Sequence, residues 1–508
     1  MSADILTIRL HDADNVVTAK TTIAPDTAIP GEPVTTAMQI PVGHKVAVTA
    51  IATGEAIRKY NQIIGFASTD IAAGEHVHTQ NVEMKTFERD YAYGTEATPT
   101  VMVPDAERAT FQGIVRDDGQ VATRNYIGIV SSVNCSATVS RFIADAFKGD
   151  ALADYPNIDG VVALVQSYGC GTPDVGIGWD FFQNTLNGYK SHPNFVGIVV
   201  VGLGCEVNQV QGMFEQHGWQ TGKMLAAMTI QDSGGTRKTV AEGVARVREM
   251  LPDANRVART TVPASHLILG LECGGSDAYS GITANPALGA AADLLVRHGG
   301  TAVLAETPEI YGAEHLLTRR AESKGVGDKL IQHVLWWEDY TAKNGAEMNN
   351  NPSPGNKAGG LTTILEKSLG AVAKGGTTNL VDVFQYANPI TAKGFCFMNT
   401  PGYDVTSVNG MVAGGANVVC FTTGRGSAFG CKPTPSIKLA TNTTMFTRME
   451  EDMDVNCGLI TDGDASVAEM GEIIFQKILA TASGERTKSE ELGYGDEEFV
   501  PWHIGAVM

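Results

Sequence analysis

No apolar run in the 508-residue chain reaches the ~18 residues that a membrane-spanning helix needs. The start, MSADILTIRLHDADN, lacks the basic-then-apolar layout of a secretory leader, so a cytoplasmic protein is expected. Positive charge is scarce: 37 Lys and Arg stand against 56 Asp and Glu, a formal charge of −19. That mean field repels nucleic acid and anionic membrane, and neither is expected as a partner. A small anion is admissible where local Arg and Lys overcome the field. Internal repeats and low-complexity tracts are absent, and the eight cysteines include no CxxC pair. In a reducing compartment they read as thiols or metal ligands rather than disulfides.

What is present is globular. Hydrophobic residues make up 43% and charged residues 18%, while 57 glycines promise many tight turns. The length predicts two or three domains. Residues 1–87 read as a small all-β domain, with LTIRL, VAVTAI, IIGFAS and HVHTQNV separated by Pro/Gly turns. Residues 88–112 are polar, Pro-bearing and aperiodic, and read as a linker. From Gly113 the pattern becomes alternating β and α, with continuous Val/Ile/Leu strands that imply parallel sheets covered on both faces. The fold class is therefore α/β: a small β domain, then a large body. The body is divided at NPSPGNKAGG into 113–350 and a C-terminal α/β unit at 351–508, or continuous across it.

Four cysteines follow apolar strands: Cys135 in SSVNC, Cys170 in QSYGC, Cys205 in GLGCE and Cys273 in LECGGSD. Ligands of open parallel sheets bind at the carboxyl ends of strands, so a shared centre is expected there. Gathered thiolates suit iron or zinc, and three or four could hold an iron–sulfur cluster. Cys396, Cys420, Cys431 and Cys457 lack that context and read as core. In the β domain, His44-Lys45 follows a turn. His76 and His78 share one face of a strand, within reach of one ligand or of an exposed polar face. Arg124-Asn125, Ser276-Asp277, Asn356-Lys357 and Thr423 with Arg425 offer donors for carboxylates and hydroxyls.

These segments resemble the altronate/galactarate dehydratase family, hydro-lyases acting on sugar acids, over essentially the whole length. The likeness rests on GHK at 43–45, AGEHVHTQN at 73–81, RDDGQVATRN at 116–125, YGC at 168–170 and GLGCE at 202–206. It continues through GLECGGSDAYSGITANPALG at 270–289, NPSPGNKAGG at 351–360 and TTGRG at 422–426. The resemblance implies an N-terminal SAF domain, an α/β dehydratase body and a divalent metal, usually Fe2+, with Mn2+ as the alternative. ECGGSD and HVH look closer to the altronate branch. Gln80 stands where that pattern often has a third histidine, and TPGYD at 400–404 and SAFG at 427–430 differ from both branches. The same scaffold serves sulfolactate sulfo-lyases, in which the two parts are separate chains.

Eliminating water from a 2,3-dihydroxy acid needs a base for the proton beside the carboxylate and stabilisation of the departing hydroxide. His44 and His78 are the expected bases and Lys45 an anion clamp. Arg124, Lys357 and Arg425 are expected to meet the carboxylate, with Asn125, Asn356 and Thr423 as further donors. Ser276, Asp277 and Asn285 are expected to read hydroxyls, Asp277 alternatively being a metal ligand. Cys135, Cys170, Cys205, Cys273 and His76 are expected to hold metal. The expected product is a 2-keto-3-deoxy acid. The rival readings are a sulfo-lyase acting on a C3 sulfonate and a non-enzymatic sugar-acid-binding protein. A homo-oligomer, a dimer by base rate, is expected.

Overall fold

In the computed structural model, which describes residues 6–87 and 89–506, three units follow one another along the chain. Residues 1–5 of the expected first domain, Glu88 of the expected linker and residues 507–508 lie outside the described residues. The first unit is all-β. Its four-stranded antiparallel sheet takes Thr7–Ile8, Val16–Ala19, Lys45–Ala47 and His76–Val77; a three-stranded sheet takes Ala56–Lys59, Gln62–Ala67 and Val82–Glu83. Val17, Ile23, Ile40 and Val46 form one of its cores. The strand Val16–Ala19 escapes the sequence reading because all four residues are buried and show no alternation.

The expected linker is not slack. Arg89 pairs with Glu314, and Arg319 with Asp90 and Glu96. Backbone N–H groups of Gly94 and Val103 donate to Thr318 O and Arg297 O. Residues 89–107 thus run as a strap over the C-terminal unit, and Thr110–Val115 then joins a small sheet with Arg259–Pro263.

The middle unit has four parallel strands in the order Gly160–Leu164, Tyr126–Ser131, Phe195–Gly202, Leu225–Thr229. Both faces are covered, as the unbroken apolar runs require. Ile127, Ile129, Val199 and Val201 pack on Val139 and Ile143 of helix Ala137–Asp145 and on Val247 and Met250 of helix Thr236–Ala254. Val130, Val162 and Val200 belong to the main core with Phe181, Phe182 and Leu186 of helix Ile177–Ser191.

The C-terminal unit carries a seven-stranded parallel sheet in the order Leu380–Phe384, Gly394–Met398, Thr301–Leu304, Ile268–Cys273, Val418–Thr423, Ser436–Ala440, Val455–Asn456. Two of these strands precede residue 350, which corrects the expected division at 350/351. NPSPGNKAGG is a loop within one sheet domain, and its Pro and Gly content serves a site rather than a boundary. Helix Ala284–Arg297 covers one face together with Val467–Ala482, where Gly471 lets the two helices meet at Ala287 and Ala290.

The strand order reverses once in each sheet. In the middle unit the chain leaves Tyr126–Ser131 on one side and returns on the other as Phe195–Gly202. In the C-terminal unit it leaves Ile268–Cys273 and returns as Val418–Thr423. Such switch points open a crevice outside the carboxyl ends of the flanking strands. Among the described residues no helix is long and apolar enough to cross a membrane.

Candidate active site

The histidines of the first unit converge. Lys45 lies opposite Val77 and Val46 opposite His76 in the antiparallel pair, so His44 falls across from His78, and strand alternation puts His76 on the face of His78. Ring centroids are 4.4 Å apart for His44 and His78 and 5.1 Å for His44 and His76. His44 Nδ1 lies 2.9 Å from His76 Nε2. One nitrogen from each of the three rings falls within 4.8 Å of the others, and buried His78 Nδ1 has no hydrogen-bond partner among the described residues. The turn before HVH requires Gly74: its φ is +86°, and a Cβ there would sit 2.0 Å from Thr35 O. Burial first, then neighbouring histidines and Lys45, bring His76 to about 4 and His78 to about 3; burial also lowers His44. At neutral pH all three are uncharged and present lone pairs, as metal ligands must.

This cluster faces the C-terminal unit. His44 Nε2 lies 3.4 Å from Ala358 O. Gly43 and Gly360 meet backbone to backbone, where a Cβ on Gly360 would sit 2.3 Å from Gly43 O. The expectation for Lys45 is corrected: it is fully buried, and its ammonium donates to Gly360 O (2.7 Å) and to both Glu366 oxygens (3.0 and 2.8 Å). Lys59 donates to the same carboxylate at 3.1 Å. Burial favours a protonated Glu366, but the two ammoniums win and hold it at about 2. Lys45 therefore pins the two units together and is not free to clamp an anion.

Across the seam lie the loops of the switch point. Asp277 accepts from the backbone N–H of Tyr279 (3.0 Å) and Ser280 (2.9 Å), from Thr441 Oγ1 (3.0 Å) and from Asn442 Nδ2 (3.1 Å). With its oxygens thus used, it organises the loop, which corrects its expected role as hydroxyl reader or ligand. Asn285 is likewise spent, donating to Gly370 O and accepting from Thr422 Oγ1 at 2.6 Å. Asn356 caps the helix Pro354–Ala358 through Ser353 and donates to Ser276 O at 2.8 Å, so its amide and the Ser276 carbonyl bind each other. Thr423 Oγ1 accepts from Gly426 N, and the Gly424 and Arg425 amides donate to Gly275 O. These bonds leave the Arg425 side chain exposed beside Gly359, with Lys357 half-buried nearby in the same seam.

Beneath these loops lies an ionic cluster that the sequence reading missed: buried Glu272, Glu306, Glu309, Lys367 and Lys374, with Asp404 half-buried at its edge. Lys374 donates to Glu306 at 2.6 Å, and Lys367 to Glu309 at 2.5 Å and Asn351 at 3.1 Å. Cys273 Sγ lies 3.5 Å from Glu306 Oε2 and 3.4 Å from Glu309 Oε2. Burial and these carboxylates push its pKa well up. It is a neutral thiol donor here, and the two ammoniums already supply the positive charge a metal would bring. Glu306 adopts a left-handed backbone, φ +66°, rare outside glycine and frequent where a site stores strain. Asp404 packs against Gly274; burial, then Glu306 and Glu309, raise its carboxyl to about 7. The signals available were ETPE directly after an apolar strand and the YD of TPGYD.

Other expected residues stand elsewhere. Arg124 forms a two-pronged pair with Glu490 (2.6 and 2.8 Å) and donates to the carbonyls of Thr123, Thr481 and Glu485. Asn125 bonds Arg116, Asp159, Asn157 and Ala254. Both immediately precede Tyr126–Ser131, at the amino end of the sheet and away from any switch-point crevice, so neither meets a substrate at this seam. The single four-cysteine centre is also corrected. Cys135, Cys170 and Cys205 end strands of the middle sheet and are exposed, whereas Cys273 is buried in the other sheet.

Comparison with known proteins matches this architecture unit by unit. Residues 5–85 match the altronate/galactarate dehydratase SAF domain. Residues 113–255 match the D-galactarate dehydratase/altronate hydrolase second domain, and residues 264–507 the D-galactarate/altronate dehydratase C-terminal domain. The chain belongs to the altronate/galactarate dehydratase family. The relatives named altronate dehydratase and galactarate dehydratase are hydro-lyases, that is, carbon–oxygen lyases. The chain is 34% identical over 494 residues to altronate dehydratase of Bacillus subtilis, covering 95% of this chain and 96% of that one. It is 36% identical over 502 residues to the L-threo-forming galactarate dehydratase of Escherichia coli, covering 96% and 94%. Those identities do not separate the altronate from the galactarate branch. The (2R)-sulfolactate sulfo-lyase subunit beta of Chromohalobacter salexigens is 31% identical over 399 residues, 77% of this chain and 96% of that one.

Proposed function

We propose that this family member eliminates water from a sugar acid of the altronate or galactarate kind to give a 2-keto-3-deoxy acid, using a divalent metal, Fe2+ first and Mn2+ second. The observation that carries the reading is the trio of neutral imidazoles, His44, His76 and His78, set against the switch-point crevice with a buried, unpartnered nitrogen on His78. Three imidazoles suit iron, and no ammonium competes within the trio. When bound, the metal supplies Lewis acidity toward the substrate carboxylate and the departing hydroxyl oxygen.

The rest falls to the chain itself. Exposed Arg425 and half-buried Lys357 meet the substrate's carboxylate, and Arg offers it two parallel donors. Asp404, held near neutrality by burial and its acidic neighbours, takes the proton from the carbon beside that carboxylate. This moves the base from His44 and His78, whose lone pairs are assigned to the metal. The Lys45–Glu366–Lys59 bridge keeps the first unit seated against the C-terminal unit. The enol left after loss of hydroxide tautomerises to the keto acid.

Anaerobically purified, iron-loaded protein incubated with aldonates, aldarates and sulfolactate tests this reading. Formation of 2-keto-3-deoxy acid from an aldonate or aldarate is expected; no keto acid from any of them refutes it. The match to a sulfo-lyase β subunit over most of the body favours one rival. Release of sulfite from sulfolactate in the same assay would assign that reaction instead.

A further inference from the structure

The three cysteines of the middle unit lie outside the seam described above. They end three neighbouring parallel strands: Cys135 follows Tyr126–Ser131, Cys170 follows Gly160–Leu164 and Cys205 follows Phe195–Gly202. Cys135 and Cys205 flank that sheet's switch point. All three are exposed, while the five other cysteines are buried. Cysteine is among the most often buried residue types, so an edge that exposes three is not explained by packing.

The loops that carry them are knitted together by groups other than the thiols. Asn134 N donates to Tyr168 O at 2.9 Å and Val207 N to Cys170 O at 2.8 Å. Asn208 Nδ2 donates to Ser132 O at 2.9 Å. The buried Glu206 carboxylate accepts from Ser132 Oγ and from the amides of Leu203 (3.1 Å) and Gly204 (2.7 Å). The scaffold is thus fixed, and among the described residues these sulfurs accept a single hydrogen bond, from Gln231 Nε2 to Cys205 Sγ at 3.4 Å. Cys135 adds the amino end of helix Ala137–Asp145, whose first-turn amides favour negative charge.

A single tetrahedral metal with bonds of about 2.3 Å draws its sulfurs to about 3.8 Å. Among the described residues the three sulfurs do not all lie within 4.8 Å of one another, as the ligand atoms of the histidine trio do. A cubane cluster puts a separate iron under each thiolate and spreads them wider.

We propose that the carboxyl edge of the middle sheet binds a [4Fe–4S] cluster through Cys135, Cys170 and Cys205, with its fourth iron open to an oxygen ligand such as water or the hydroxyl of a small acid. This cluster is separate from the histidine site and does not depend on the function proposed for it. The test is the full chain, purified anaerobically and reconstituted with ferric iron, sulfide and a thiol reductant. About four acid-labile sulfides per chain are expected, with the Mössbauer signature of a cubane. Cys135→Ser, Cys170→Ser and Cys205→Ser should each abolish the sulfide, whereas Cys431→Ser and His76→Ala should retain it. Alkylation of the unmutated protein supplies a reading independent of variant folding: loading should protect all three cysteines, and their full modification in loaded protein would overturn the proposal. Zinc or iron bound without sulfide, or a cluster that survives all three serine variants, would overturn it as well.

Discussion

Two parallel sheets in this chain have the same kind of switch point and opposite edges. At the C-terminal sheet the edge is covered by the first unit and filled with buried charge: Glu306 with Lys374, Glu309 with Lys367, and Glu366 with Lys45 and Lys59. At the middle sheet the edge is open, and its reactive groups are exposed thiols. Topology decides where a crevice forms; the loops decide its chemistry. The two proposals accordingly give one edge to an acidic oxygen substrate and the other to a soft metal.

The contrast breaks first at Asp404. Asp404→Asn should lower kcat about 10²–10⁴-fold while leaving bound iron unchanged, because a general base acts only in the transition state. Equal activity would remove Asp404 from the chemistry. His76→Ala should weaken iron binding more than about 100-fold by metal titration, since even outer partners of metal ligands cost 10–100-fold; it should not touch the thiol edge. Glu366→Gln leaves two buried ammoniums short of a counter-charge and should cost about 3–5 kcal/mol in urea unfolding.

The Arg124–Glu490 pair sharpens the assignment of Arg124 as structural. Burial acts to raise the Glu490 carboxyl, but hydrogen bonds and charge from Arg124 overcome it and hold the pKa below the usual carboxylate range. A depressed folded pKa gives stability that is complete above the unfolded value and lost as pH falls through the folded one. Wild-type stability should therefore drop below about pH 4, and Arg124→Gln should flatten that drop at a cost of about 3 kcal/mol. Arg425→Ala is the mildest change: KM should rise about tenfold, with melting temperature unmoved, because its side chain is exposed.

Much of this was legible in the sequence. Continuous apolar strands gave the parallel sheets, Pro/Gly turns gave the β domain, and strand alternation put His76 with His78. What stayed hidden depends on contacts between distant segments. Arg124 is a donor in any sequence, and only the fold brings Glu490, 366 positions away, to occupy it. Asp277 sits in a motif that looks like a site, yet its oxygens are filled by Thr441 and Asn442. The acidic cluster escaped because each member is an ordinary Glu or Asp until the sheet edge buries it. The grouping of thiols as three and one follows from which strands share a sheet, and a strand-end cysteine does not carry that information.

The strap at residues 89–107 bears on how firmly the first unit must hold. Because Arg89, Asp90, Glu96 and Val103 anchor it to the C-terminal unit, the β domain leaves the body from a fixed point and finds its seat with little search. Tethering of this kind raises effective concentration, and it adds to a seam that already joins Ile57, Ile64 and Val77 to the main core and carries the buried ion triad. The first unit is then held on the body by its leash as well as by its own grip.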